Sequence, residues 1–405
     1  MSAICRSAIF TAVAVACCVM SAHAQRVPLP PQAADVPWPT SEWPTGPLPE
    51  GVDRAALEAA LADAFENKAE GLGETRELVI IQGGRLVHEQ YAAGYESDMR
   101  LVSWSMAKSV TQALVGVALQ QGKVNVDAPM GSPHWQANDK RAQIPWRTWL
   151  QMTDGMRYLE IEAKTVADSD ASRKLFGPGR LDVAKYCAGL PLIHEPGTHW
   201  NYNSCGIVLT ADALTRAIVP NPESPQARRA AMLQWMQQSL FDVIGMKPQP
   251  EFDASGLFYG SALIYASARD FAKFGLLYLR DGMWDGQRVL PEGWVDFART
   301  AGKSENADIY GAGWWVSPAE GAGRPYPTRI DTGPERDAFS AQGFEGQYTL
   351  VVPSKDLIVV RLGFTPEKDL RTGALGKWLG RLASTFPAAA PPAPAAAAAV
   401  SSAAK

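Results

Sequence analysis

The chain has 405 residues, 46% hydrophobic and 20% charged, with a formal net charge of -4. This is the composition of a globular protein of one large domain or two smaller ones. With no long basic run, the charge speaks against nucleic acid or another polyanion as a partner.

Arg6 followed by the apolar run Ile9 to Met20 and the small-x-small site Ala22-His23-Ala24 reads as an export signal over 1–24. The run is too short to span a membrane, so no stable membrane span is expected. Cys17 and Cys18 lie in it, but Ala14-Val15-Ala16-Cys17 is a poor lipoprotein box. Residues 25–50 are rich in proline and read as an extended leader, wrapped on the surface or mobile. Leu57, Leu61 and Phe65 are four apart and predict a helix from Ala55 to Lys68. Glu77 to Gln82 and Arg85 to Tyr91 flank Gly83-Gly84, a two-residue hairpin signal. From Ser105 to Gln121 the chain is apolar almost all round, which predicts a buried helix.

Residues 123–255 read as helices and loops. After Ser267 a helix runs from Asp270 to Leu279, with Arg269-Asp270 expected as an ion pair at its start. Glu345 to Pro353 and Asp356 to Phe364 read as antiparallel strands, and Gly376 to Thr385 as a last helix. Strands at both ends and helices between predict an α+β fold. It has one antiparallel sheet flanked by helices, with an all-helical part inserted. The folded domain would then be 51–385, its α/β part 51–122 and 256–385 and its helical part 123–255. The Ala/Pro tail 386–405 has too few large apolar groups to fold.

Thirteen tryptophans is a high count; packing in the core accounts for most, and lining a cleft is open for one or two, the pair Trp314-Trp315 included. After removal of a signal only Cys187 and Cys205 remain, either as a disulfide or as two buried thiols. No cysteine or histidine cluster has metal-ligand spacing, and neither a metal nor another cofactor is expected.

The chemistry-bearing unit is Ser105-Met106-Ala107-Lys108. A serine hydroxyl is a weak nucleophile until a neighbour takes its proton. Residues three apart on a helix share a face, so Lys108 would stand beside Ser105. Four further segments follow in order: Leu150-Gln151-Met152-Thr153-Asp154-Gly155, Pro196 to Ser204, Ser267 to Gly275, and Gly343-Phe344-Glu345-Gly346-Gln347. Together these resemble the class C β-lactamase-like serine hydrolases, above all the branch of 6-aminohexanoate-dimer hydrolase and related esterases and amidases. The resemblance implies the β-lactamase/transpeptidase-like fold and an acyl-enzyme on Ser105. It implies Lys108 as part of the proton network and Tyr202 as a phenolate base. The backbone N–H groups of Ser105 and Phe344 would form the oxyanion hole. Tyr158, His199, Ser204, Tyr259, Gln342 and Gly343 are candidate substrate contacts.

Two positions depart from the pattern. Ser204 stands where class C β-lactamases carry asparagine, and Ala341-Gln342-Gly343 where they carry Lys-Thr-Gly. Both losses argue against efficient β-lactam hydrolysis and favour a small ester or linear amide as substrate. A D-alanyl peptidase of the penicillin-binding type and a catalytically silent binding module of the same fold are the alternatives.

Overall fold

The structure, a computed structural model, describes residues 27–66, 69–317 and 336–389. The export signal, Lys68 and most of the Ala/Pro tail lie outside the described residues. Six antiparallel strands form the main sheet: β1 Glu74–Gln82, β2 Arg85–Tyr91, β3 Trp315–Val316, β4 Phe339–Gly343, β5 Gln347–Val352 and β6 Leu357–Phe364, in the order β2-β1-β6-β5-β4-β3. The two ends of the chain meet in the middle of this sheet, where Val79 pairs with Val360 and Ile81 with Ile358. The β1–β2 hairpin turns at Gly83 and Gly84, both with positive φ of 59° and 74°, a turn that glycine makes without strain.

Both faces of the sheet are covered, which is why Leu78–Ile81 of β1 and Leu357–Val360 of β6 are continuous apolar runs rather than alternating. On one face Leu78, Ile80, Leu350 and Val359 pack with Leu57, Trp378 and Leu382, from helices α1 (Arg54–Phe65) and α7 (Ala374–Ser384). On the other, Val79, Ile81, Val351 and Val360 join a larger core with Phe271 and Phe274 of α6 (Ala268–Leu279) and with α2 (Ala107–Gln120). Helix α2 has its first twelve residues buried, as its apolar circumference predicts. Between α2 and α6 run α3 (Asp170–Leu175), α4 (Val183–Ala188) and α5 (Ser204–Ile218), with further helices at Trp146–Leu150 and Pro225–Met236 and shorter turns. No helix among the described residues is long and apolar enough to cross a membrane.

Of the two readings of the proline-rich leader, the described part from residue 27 follows the wrapped one: Trp43 is buried and Arg280 donates to Gln32 Oε1 and the Pro30 carbonyl. Other expectations change. The expected strand from Glu345 starts only at Gln347, because Phe344–Gly346 forms a tight turn with Glu345 at φ 61°. Strand β4 gives little signal in the sequence because Phe-Ser-Ala-Gln-Gly carries one large apolar residue and no β-branched one. Arg269 does not pair with Asp270, since consecutive helical residues point about 100° apart. Its guanidinium reaches Glu89 Oε2 at 2.7 Å, while Asp270 closes a capping box with Ser267.

Cys187 and Cys205, left open by the sequence, form a disulfide that joins α4 to the first turn of α5. Closing a loop over a sequence separation of 18 restricts the unfolded chain by about 3 kcal/mol. A C187A/C205A variant should therefore lose about that much stability in chemical denaturation, with an m-value equal to or above that of the oxidised protein because the unfolded chain is less restricted.

Candidate active site

Ser105 sits in a 3₁₀ turn, Trp104–Met106, that feeds α2. The tight turn was expected as α-helix, yet the spacing survives, because side chains three apart eclipse in a 3₁₀ turn. The turn is fixed from behind. Ser103 N–H donates to the Ile264 carbonyl at 2.8 Å, and Ser103 Oγ accepts from Ile264 N–H at 3.0 Å.

Lys108 is 1% exposed. Its ammonium donates to Ser105 Oγ at 2.7 Å and to the Ser261 carbonyl at 2.9 Å. Burial lowers its pKa to about 8, and the Glu160 carboxylate pulls the other way. The Tyr202 ring lies below, its centroid 4.8 Å from Lys108 Nζ. Tyr202 is buried against Trp315 (5.2 Å between centroids), Tyr310 and Trp200. So one member of the tryptophan pair serves this site, while Trp314 packs on Tyr278 in the core. Burial pushes the Tyr202 phenol well above its ordinary value, and the Ser105 hydroxyl acts against that as a hydrogen-bond partner. Desolvation here disfavours the Tyr202 anion and, in the same place, favours a neutral Lys108 amine.

Tyr202 is held by its successor. Asn203 caps α5 by accepting from Gly206 N–H at 3.0 Å and donates to Asp154 Oδ1 at 2.9 Å. Asp154 is fully buried, and burial raises its pKa to about 6. Its role is that of a buttress behind the tyrosine.

Across from Ser105 runs the end of β4. A Cβ on Gly343 would fall 2.2 Å from the Ser103 carbonyl oxygen, so only glycine lets the strand come this close. Trp104 and Glu345 both adopt left-handed backbone conformations, at φ 43° and 61°. They hold each other: Trp104 Nε1 donates to Glu345 Oε2 at 2.9 Å, and the Trp104 ring meets Phe344 edge-on at 5.9 Å. Arg361, wholly buried, donates to the Glu345 carbonyl at 3.2 Å and the Gly346 carbonyl at 2.8 Å. The two residues whose N–H groups are the oxyanion candidates, Ser105 and Phe344, therefore sit on turns tied to each other and to the sheet.

The remaining candidates divide. Tyr158 and His199 line a cavity of about 350 Å³ together with Glu160, Trp200, Asn201 and Tyr202. His199 stacks on His194 and lies 3.4 Å from Glu305. Ser204 donates to Glu160 Oε2 at 2.6 Å. Gln342 bonds its own strand, at Ser340 Oγ (2.9 Å). Tyr259 is not brought to this cavity: it is buried, with its hydroxyl facing the Arg180 carbonyl. The segment contributes instead through Ser261. Sequence reasoning also missed Glu160, Lys174 and Tyr310. No motif marks them, and a carboxylate or lysine in a loop-rich stretch reads as a solvated charge.

A family model described as Beta-lactamase matches residues 61–218 and 213–372. The chain belongs to the Beta-lactamase family. The 6-aminohexanoate-dimer hydrolase of Paenarthrobacter ureafaciens is 22% identical over 337 residues, covering 77% of this chain and 79% of that protein. Among solved structures, a Bacillus anthracis protein provisionally assigned as a 6-aminohexanoate-dimer hydrolase superposes with a TM-score of 0.61 at 18% identity, covering 84% and 87% of the two chains. EstCE1, a hydrolase with promiscuous acyltransferase activity, gives 0.57 at 15% identity, covering 82% and 99%. The fold is the β-lactamase/transpeptidase-like one that the motifs implied.

Removing the Glu345 side chain leaves Trp104 Nε1 without its acceptor and frees the turn before Ser105. E345A should lower kcat on an acyl substrate roughly tenfold to a hundredfold, below the cost of deleting an oxyanion donor, with a smaller change in KM. Steady-state kinetics of purified wild type and variant measure this.

Proposed function

We propose that this member of the Beta-lactamase family is an exported serine hydrolase that cleaves a small ester or linear amide through an acyl-enzyme on Ser105. The observation that carries the reading is the buried Lys108 amine 2.7 Å from Ser105 Oγ, with the Tyr202 phenol beside both. Export draws support from the disulfide, which persists in oxidising compartments.

In the proposed reaction neutral Lys108 accepts the Ser105 proton as Oγ bonds to the substrate carbonyl carbon. The N–H groups of Ser105 and Phe344 receive the developing oxyanion. Tyr202, kept neutral by burial, gives its proton to the leaving oxygen or nitrogen as that bond breaks, and the proton gained by Lys108 restores the phenol. Water then attacks the acyl-enzyme with Lys108 again as base, and Ser105 recovers its proton. The D-alanyl peptidase reading loses support at β4, where Ala341 is buried and Gln342 turns to Ser340, leaving no cation at the third-motif position for a substrate carboxylate. An intact Ser105–Lys108–Tyr202 cluster speaks against a silent binding module.

With a chromogenic short-chain ester, S105A should lose all turnover above the uncatalysed rate. Y202F should fall by roughly a hundredfold to ten-thousandfold with an unchanged unfolding midpoint. Equal rates in S105A and wild type would sink the assignment. The sign of the pH dependence follows from the base: Lys108 must be neutral, so kcat/KM should rise as pH climbs through about 8. A profile that is flat from pH 6 to 10 removes Lys108 as the base.

A further inference from the structure

Beside the catalytic cluster lies the cavity of about 350 Å³, a volume at the lower end of those that hold small molecules. Of Ser105, Lys108 and Tyr202, only Tyr202 lines it. In the reaction proposed above, Tyr202 hands its proton to the leaving oxygen or nitrogen. The cavity therefore adjoins the departing half of the substrate, while Ser105 and Phe344, the oxyanion candidates, do not line it. Its wall combines two kinds of group that favour a cation. Tyr158, Trp200 and Tyr202 supply aromatic rings, and Glu160 and Glu162 supply carboxylates.

We propose that this cavity holds the leaving half of the substrate and selects an alcohol or amine that carries a cationic group, with Glu160 as the specificity-determining carboxylate. The inference rests on the serine-hydrolase reading above and names the substrate class of that same site.

The balance of charge at the wall supports this choice. Among the described residues the lining carries one guanidinium, Arg157, and Asp170 meets its charge at 3.1 Å. His199 stacks on His194 and lies 3.4 Å from Glu305. Glu160 is half-buried, and its Oε2 accepts from the uncharged Ser204 hydroxyl at 2.6 Å. The cations within reach of its charge are Lys108 and Lys174, and burial lowers them to about 8 and about 7. Lys108 is neutral in the form that turns over, so above pH 8 the Glu160 charge is left to act on a ligand. Burial and the Glu160 charge push the Tyr158 phenol up, so that residue adds a ring and no anion. A second observation is independent of charge. Trp200, in the same wall, is 5% exposed, and its indole N–H has no acceptor in the protein. A buried donor left unmet beside a cavity marks a wall that its occupant completes. The acidic wall repels a leaving half that ends in a carboxylate, in keeping with the lack of a cation at Ala341 and Gln342.

The test is kcat/KM at pH 9 for two pairs of isosteric esters, each value divided by the hydroxide-catalysed rate of the same ester. One pair carries the charge in the alcohol: choline butyrate against 3,3-dimethylbutyl butyrate. The other carries it in the acyl group: ethyl 4-(trimethylammonio)butyrate against ethyl 5,5-dimethylhexanoate. Wild type should favour the cationic alcohol about tenfold, mainly through KM, and the cationic acyl group by less than about threefold. E160Q keeps an acceptor for Ser204 and should cut the alcohol preference to about twofold, and E162Q should roughly halve it. The ratio within one protein is the readout, so a change of Lys108 basicity in E160Q cancels. Unfolding midpoints are recorded alongside. An active wild type with no alcohol preference overturns the inference. So does a larger preference in the acyl pair, which would put the acyl half in the cavity, and so does an E160Q ratio equal to wild type. Should E160Q fail to fold, E162Q carries the test, and an unchanged ratio there is again fatal. A wild type without Ser105-dependent hydrolysis of any of the four esters would remove the parent reading and this one together; hydrolysis without the alcohol preference removes this one alone.

Discussion

The site depends on keeping one amine out of water. Lys108 enters the interior on a helix whose first three turns are buried on every side, and it emerges only at Ser105 Oγ. An ammonium there loses most of its hydration, and two acceptors, Ser105 Oγ and the Ser261 carbonyl, replace only part of it. The neutral amine gains from the same burial. The environment that makes the helix a core element therefore also lowers the pKa of its lysine, to about 8. The reverse holds for Tyr202, whose anion the surrounding Trp200, Tyr310 and Trp315 rings disfavour. A single buried environment thus favours the neutral form of both groups, the amine and the phenol.

Geometry on the other wall comes from backbone that would be unfavourable alone. Left-handed conformations at Trp104 and Glu345 each cost of order 1–3 kcal/mol. They persist because neighbours over-determine them. The two side chains bond each other, Arg361 grips the carbonyls of Glu345 and Gly346 from inside the sheet, and Gly343 removes the Cβ that would hold the strand off Ser103. Arg361 is itself satisfied by further carbonyls, those of Leu72 and Glu74 at 2.9 Å each, so the guanidinium joins the turn to β1 and its approach. Rigidity at this turn is thus supplied by the same sheet that both ends of the chain build.

The sheet, the buried helix and the nucleophile unit were legible in the sequence because each rests on a local rule: apolar runs, a Gly-Gly turn, and Ser and Lys three apart. Local rules fail where a residue acts through a distant partner. Ser261 gives no sign in sequence that its carbonyl and its hydroxyl serve two different lysines. Lys174 lies among Asp170, Ser172 and Arg173, a stretch with the look of a surface helix. Tyr259 stood among the candidate substrate contacts, whereas the residue of that segment that reaches the two lysines is the small Ser261. The Arg269-Asp270 pairing failed for a related reason, since neighbours in sequence diverge on a helix and each found a partner elsewhere. The desolvation of Tyr202 was not legible either, because the ring cluster that causes it is assembled from Trp200, Tyr310 and Trp315, far apart in the chain.

The distribution of charge around the centre forms one argument. At the edge of β4 this chain has a buried alanine, Ala341, and a glutamine, Gln342, bonded to its own strand, so no cation stands at those positions. A buried cation, Lys174, lies instead on the helical side, behind Ser261, whose hydroxyl accepts from it. The nearby cavity wall carries Glu160 and Glu162 together with Arg157. On the reaction proposed above, substrate would meet that wall, which the helical insertion supplies through Tyr158, Glu160, His199 and Trp200, and substitutions there would change the substrate accepted while Ser105, Lys108 and Tyr202 keep their geometry.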